Sequence, residues 1–239
     1  SDLFTGQGLT VIGANDKSSL KYVDFNNMSN FSNNNWELTG GVNFYMSDVD
    51  ISNTSFENNN SEDALNIIKS KFMIKQSIFN NILSDAFDSD FSEGSIDNTS
   101  FYNCGNDGVD LSGSSLDIND ILFDGIGDKA ISAGEASILK SNNVVIKSAE
   151  IGVTSKDSSI VEVTNILIDN TNVGFTAFTK KSEYGPAKII AKNIILKNVE
   201  IPYLIENFSE MNLDDGVIGT VEFSVEDLLY GNLYGASSK

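Results

Sequence analysis

Apolar residues recur along this chain in pairs two positions apart, and the pairs themselves recur about every 22 residues. One column holds Phe25, Phe56, Phe79, Phe101, Phe123, Ile146, Ile168 and Leu196. Most intervals in it are 22 or 23 residues; those after Phe25 and after Ile168 are 31 and 28. Two positions earlier stand Val23, Thr54, Ser77, Thr99, Ile121, Val144, Ile166 and Ile194. A second apolar pair precedes these, with Ile51, Ile74, Ile96, Ile118 and Val163 in one column. The column before it holds Val49, Phe72, Leu116, Leu139, Val161 and Ile189, interrupted by Gly94. A spacing of two is the period of a strand.

Between the two pairs lies a polar column: Tyr22, Asn53, Gln76, Asn98, Asp120, Asn143, Asn165, Asn193. Asn and Asp tolerate left-handed backbone, so a sharp bend is expected there in each repeat. Another Asn column follows the anchor: Asn27, Asn58, Asn81, Asn103, Asn170, Asn198. Stacked amides can bond along such a ladder. A third strand comes next, as in Leu65-Asn66-Ile67, Phe87-Asp88-Ser89 and Val109-Asp110-Leu111.

Three short strands per repeat, each repeat resting on the last, predict an all-β, right-handed parallel β-helix with Asn ladders. It has eight to nine coils of about 22 residues. At about 4.8 Å per coil, eight coils make a rod of roughly 40 Å. The period fits neither a propeller blade nor a leucine-rich repeat. The expected organisation is one domain over 1–239, a piece of a longer protein, with coils over about 8–218 and a terminal cap over 219–239. Residues 180–187 and Ser29 to Asn35 read as loops inserted into the two longer intervals.

With its anchoring column and Asn ladders, the chain resembles the pectate-lyase-like superfamily of right-handed β-helices over residues 10 to 205. It is similar, more narrowly, to β-helix domains appended to secreted or surface proteins of the CotH-kinase type. The stretches that carry this are Leu38-Thr39-Gly40-Gly41-Val42, Ser61-Glu62-Asp63-Ala64-Leu65-Asn66-Ile67, Ser84-Asp85-Ala86-Phe87-Asp88-Ser89-Asp90-Phe91, Gly105-Asn106-Asp107-Gly108-Val109-Asp110, and Asp128-Lys129-Ala130-Ile131-Ser132-Ala133-Gly134-Glu135. The resemblance implies a secreted or cell-surface location. The narrower match brings no assigned activity.

Charge narrows the partners. The formal net charge is −19, with no His, and every basic residue is Lys. Such a surface repels nucleic acid and anionic lipid. No stretch reaches the roughly 18 apolar residues of a membrane span, so membrane insertion is not expected. Cys104 is the only cysteine, which rules out an intrachain disulfide and reads as a small buried residue.

A second repeat lies inside the first: Asp63-Ala-Leu-Asn66, Asp85-Ala-Phe-Asp88, Asp107-Gly-Val-Asp110, with Asp128 opening a degraded copy. Strand parity puts Asn43, Asn66, Asp88 and Asp110 in one outward row, with Asp90 and Ser112 two positions further on. Unit charges 4.8 Å apart repel by about 3.5 kcal/mol at an effective dielectric near 20. Three readings answer that repulsion. Turn chemistry and solvation are the first. Ca²⁺ held by Asp85, Asp88, Asp90, Asp107, Asp110 and Asp128 is the second, since this ion takes six to eight oxygens. The third is catalysis through raised carboxyl pKa values, with Asp85, Asp88, Asp107 and Asp110 as candidates.

The superfamily's resemblance implies lyases with Arg or Lys bases, esterases pairing Asp with Arg, and glycosidases grouping Asp near His, Arg and Lys. Without Arg or His, what survives is an all-Asp inverting hydrolase or a lyase with a Lys base. Tyr45, Phe91, Phe178 and Tyr184 are candidates to stack on sugar rings, as are Trp36 and Tyr102. The expected function is a non-catalytic extracellular or surface module. Its acidic face would meet calcium, a polysaccharide or another surface protein. A polysaccharide hydrolase or lyase is the alternative, and a filament or coat subunit the third.

Overall fold

The computed structural model describes residues 7–33, 36–220 and 224–230. They wind into a parallel β-solenoid of about eight turns of about 22 residues. Each coil has three faces. The first is exemplified by Val49–Ser52, the second by Ser55–Glu57 and the third by Asp63–Ile68. Every coil pairs in parallel with the coil before and after it, so Phe56, Phe79, Phe101, Phe123, Ile146, Ile168 and Leu196 stand in one unbroken register.

That register builds the core. The rings of Phe56 and Phe79 stack with centroids 4.6 Å apart, those of Phe79 and Phe101 at 4.8 Å, and those of Phe101 and Phe123 at 4.8 Å. The spacing is that of neighbouring strands, so the rings offset-stack with no adjustment of the backbone. Gly94 interrupts the first-face column because the Phe72 ring occupies its place: a Cβ there would lie 2.6 Å from that ring.

The bends fall where the polar columns predict. Asn53, Asn98, Asn143, Asn165 and Asn193 all have φ between 47° and 61°, as do Tyr22, Gln76 and Asp120. The second Asn column has φ of 49° to 57°, with Gly125 and Ser148 filling its gaps. A third corner, between the third and first faces, is also left-handed. It is occupied by Gly13, Met46, Lys69, Phe91, Gly113, Glu135 and Asp157. Beside it runs a buried serine ladder. Ser70 N donates to Ser92 Oγ at 3.0 Å, Ser92 N to Ser114 Oγ at 3.0 Å and Ser114 N to Ser137 Oγ at 3.0 Å. Each hydroxyl satisfies an amide that the corner removes from the sheet.

Several expectations need correction. Three separate strands per coil hold only in the first half. From Ser115–Gly134 onward single strands run round all three faces, because pairing continues through the corners. The insertion near Ser29 is not an irregular loop: Phe31–Asn33 pairs antiparallel with Trp36–Leu38. Residues 180–187 do form a strandless insertion, between Phe178 and Lys188. The cap expected over 219–239 lies partly outside the described residues. Its described helix is Val225–Tyr230. It lies along the side, with Val225 packed among Ile151, Val173, Phe178 and Leu204. At the last rung Glu210–Leu213 pairs antiparallel with Gly216–Val217. An antiparallel turn of this kind blunts a sheet edge against further pairing.

Candidate functional site

The third face carries the acidic row, and the register confirms its alignment. Thr10, Asn43, Asn66, Asp88, Asp110, Ser132, Thr154 and Thr176 are successive rungs. Beside it runs a second column in which Asp63 pairs with Asp85, followed by Asp107 and Lys129, which are joined by their own bond. Most of this row is not a solvated face. Asn43 and Asn66 are 1% and 2% exposed, and Ser132, Thr154 and Thr176 are fully buried. Asp63, Asp107 and Lys129 are buried; Asp85, Asp88, Asp90 and Asp110 are half-buried.

Burial requires partners, and the coils supply them. Asn66 Nδ2 donates to Asp63 Oδ2 at 2.9 Å, to Asp88 Oδ2 at 3.1 Å and to Thr39 Oγ1 at 3.0 Å. Asp85 Oδ1 accepts from the Asp107 backbone N–H at 2.7 Å and from Asn106 Nδ2 at 2.7 Å. Asp107 Oδ1 accepts from the Lys129 backbone N–H at 2.9 Å and from its ammonium at 3.4 Å. Lys129 also pairs with Asp128. Lys156 stands 3.7 Å from Asp110 Oδ1 and donates to Ser132 Oγ at 2.9 Å. Asn66 Oδ1 and Asp110 Oδ1 are buried without a hydrogen-bond donor.

Titration follows from this burial. Desolvation raises Asp63 to about 6, against hydrogen bonds from Thr39 and Asn66. It raises Asp85 to about 7, against the bonds from Asp107 and Asn106. Burial, then the charges of Asp63, Asp90, Asp110 and Asp85, hold Asp88 well above the ordinary carboxylate range. Burial and Glu135 raise Asp90. Burial also pushes Asp107 up, while Lys129 opposes it. For Lys129 the order reverses: burial disfavours the ammonium, but Asp107 and Asp128 together outweigh it. Lys156 is likewise held charged by Asp110 against burial.

Among the described residues no group of three or more acidic or thiol side chains converges on a point that could hold a metal ion. The bonded carboxylates form a ladder rather than a ring: Asp85 and Asp107 accept from the next coil, Asp63 from Asn66 of its own coil and Asp88 from Asn66 of the coil before. Of the sugar-stacking candidates, Phe178 is fully buried against the Val225–Tyr230 helix and offers no face to a ligand. Tyr45, Phe91 and Tyr184 stand on different coils, and Phe91 is 58% exposed. Trp36 belongs to the Trp36–Leu38 strand. Cys104 is buried, and burial pushes its thiol up to about 12, which leaves it unreactive at neutral pH.

Lys156 supplies the row's second ammonium, beside Asp110, and is absent from the sequence candidates. Its signal is parity: it sits two positions after Thr154, in the outward column of Asp90 and Ser112. Also unforeseen is a cavity of about 350 Å³ at the second-to-third-face corner, roofed by Leu228, Leu229 and Tyr230. It exists only because the helix folds back along the rod.

No protein-family model and no curated protein matches the chain. Among solved structures, it is similar to the catalytic domain of a GH87 alpha-1,3-glucanase in complex with nigerose, at 12% identity and a TM-score of 0.49. A second structure of that domain with nigerose matches at 13% identity and a TM-score of 0.45. In both cases 86% of this chain is covered, and the chain spans about half (55%) of the matched one.

Proposed function

We propose that the chain is a non-catalytic module of a secreted or cell-surface protein. It presents the acidic corner beside its third face to a positively charged partner. One observation carries this reading: Asp63, Asp85 and Asp107 are each engaged by groups of the solenoid itself. Asp107 is held by Lys129, Asp85 by Asn106 and the next backbone, and Asp63 by Asn66. Groups tied this way stabilise a scaffold and have little capacity left for substrate. One position earlier, at the corner, Glu150 and the exposed Glu200 line a concavity together with Asp128, which Lys129 already engages, and Asn172 donates to Glu150. The test has two arms. Assays on polyuronide and neutral glycans are expected to show no turnover. A short lysine-rich peptide is expected to bind with an affinity that falls as salt rises, and its glutamate counterpart not to bind. Turnover on any of the glycans would overturn the non-catalytic reading.

One observation favours a hydrolase instead: Asp85 titrates near 7 beside the half-buried Asp88 and Asp110. Perturbed carboxyls in proximity are what an acid–base pair requires. On that reading Asp88→Asn and Asp110→Asn each abolish glycan cleavage with little change in melting temperature. On the module reading there is no cleavage to lose.

A further inference from the structure

The cavity at the corner has a composition that specifies its ligand. Its floor is aliphatic: Ile151 and Val173 from successive coils and Leu204 from the next, all 2–6% exposed. Its roof is Leu228, Leu229 and Tyr230 of the C-terminal helix. Its rim carries Glu150 and Glu200, with the amides of Asn106 and Asn172; Asp128 beside them is paired with Lys129, and the Lys129 and Lys180 ammoniums stand 5.5 and 4.7 Å from the Tyr230 ring on the roof side. Asn172 Nδ2 donates to Glu150 Oε1 at 2.8 Å, which fixes that carboxylate at the edge.

Two physical constraints act on any occupant. At about 350 Å³ the cavity is at the small end of ligand sites, room for one compact organic group. An apolar floor rewards an apolar body, at about 25 cal/mol per Å² removed from water. Glu150 and Glu200, with low-dielectric walls behind them and away from the lysines at the roof, favour a positive charge at the mouth and repel an anion. A hydroxyl-rich neutral ligand would leave the aliphatic floor poorly matched. A bare metal ion would leave it unused.

We infer that this cavity binds an organic cation with an apolar body, such as an alkyl- or arylalkyl-ammonium. The apolar part enters between the coils and the helix, and the ammonium remains at the rim between Glu150 and Glu200. This inference rests on the module reading above and names the chemistry its partner would supply: an exposed aliphatic ammonium, as on a lysine side chain.

Calorimetry of the whole chain with 4-phenylbutylammonium tests it, with 4-phenylbutanol and 4-phenylbutyrate as neutral and anionic counterparts. The ammonium is expected to bind, the alcohol about fivefold more weakly, and the carboxylate not detectably. Glu200→Gln, at an exposed position, is expected to weaken ammonium binding about threefold and to leave the alcohol unchanged. Equal affinity for ammonium and alcohol, or no binding of the ammonium at millimolar concentration, would overturn the inference. If the lysine-rich peptide binds while 4-phenylbutylammonium does not, the cavity assignment alone fails. If both fail, the module reading fails with it.

Discussion

Asp107 and Lys129, one coil apart, are joined twice: the carboxylate accepts the backbone N–H of Lys129 at 2.9 Å and its ammonium at 3.4 Å. Both side chains are buried. Removing one partner strands the other's charge, whereas removing both need not. Lys129→Met is therefore expected to cost about 3–5 kcal/mol. The Lys129→Met, Asp107→Asn double variant is expected to recover a large part of that. Urea unfolding of the two single variants and the double variant measures it; additive losses would show that the pair is not coupled.

The acidic row predicts how stability changes with pH. Asp63 and Asp85 titrate near 6 and 7 in the folded chain, above the unfolded value near 3.8, and Asp88 and Asp90 are shifted the same way. A raised folded pKa means the native state holds protons that the unfolded chain has released. This contribution is fully present below about pH 4 and is lost as pH rises through 6 and 7. Melting is expected at higher temperature at pH 5 than at pH 8. Each kcal/mol lost corresponds to roughly 2–4 °C in a chain of this size. Asp85→Asn is expected to flatten the profile. A melting temperature that rises from pH 5 to pH 8 would contradict the shifts.

The phenylalanine stack sets the stability of the middle coils. Phe79 touches a ring on either side, at 4.6 and 4.8 Å, and is fully buried. Phe79→Ala is expected to cost about 3–5 kcal/mol, since the parallel strands cannot close over the void. Phe79→Leu is expected to cost much less. Denaturant melts of both give the comparison.

Gly94 and Phe72 fill one space between them. A methyl group at 94 would meet the Phe72 ring at 2.6 Å. Gly94→Ala is expected to destabilise by about 1–3 kcal/mol through overpacking. Combining it with Phe72→Leu is expected to recover much of that loss. No recovery in the double variant would mean that the backbone, not the ring, resists the change.

The helix Val225–Tyr230 holds the cavity's roof. Val225 is fully buried among Ile151, Val173 and Leu204. Val225→Asp is expected to detach the helix, increase binding of a hydrophobic dye and abolish binding of 4-phenylbutylammonium. The strand signal in circular dichroism should persist, because the coils pair with one another without the helix.

Much of the architecture was legible because each rung repeats the physics of its neighbours. Asn98, Asn143 and Asn165 announce their left-handed backbone by type, and the Phe column announces its register by period. The third corner escaped notice because Met46, Lys69, Phe91 and Glu135 share a backbone conformation and no side-chain chemistry. The serine ladder escaped for a related reason: Ser70, Ser92 and Ser114 are common residues, and only their position beside a corner gives the hydroxyls an amide to cap.

The acidic row divides along the same line. Strand parity by itself determined that Asn66, Asp88 and Asp110 stand on one face, because side-chain direction alternates along any strand. It could not determine whether that face meets water. Burial depends on what packs against the face: Thr39 and Asp63 close around Asn66, and on later coils the helix Val225–Tyr230 packs beside Phe178 and Leu204. Nor could it place Lys156 beside Asp110, two coils away, or form a cavity between Ile151 and Leu229. Those relationships come from the stacking of coils and the docking of a segment with no place in the repeat. A local period carries no information about either.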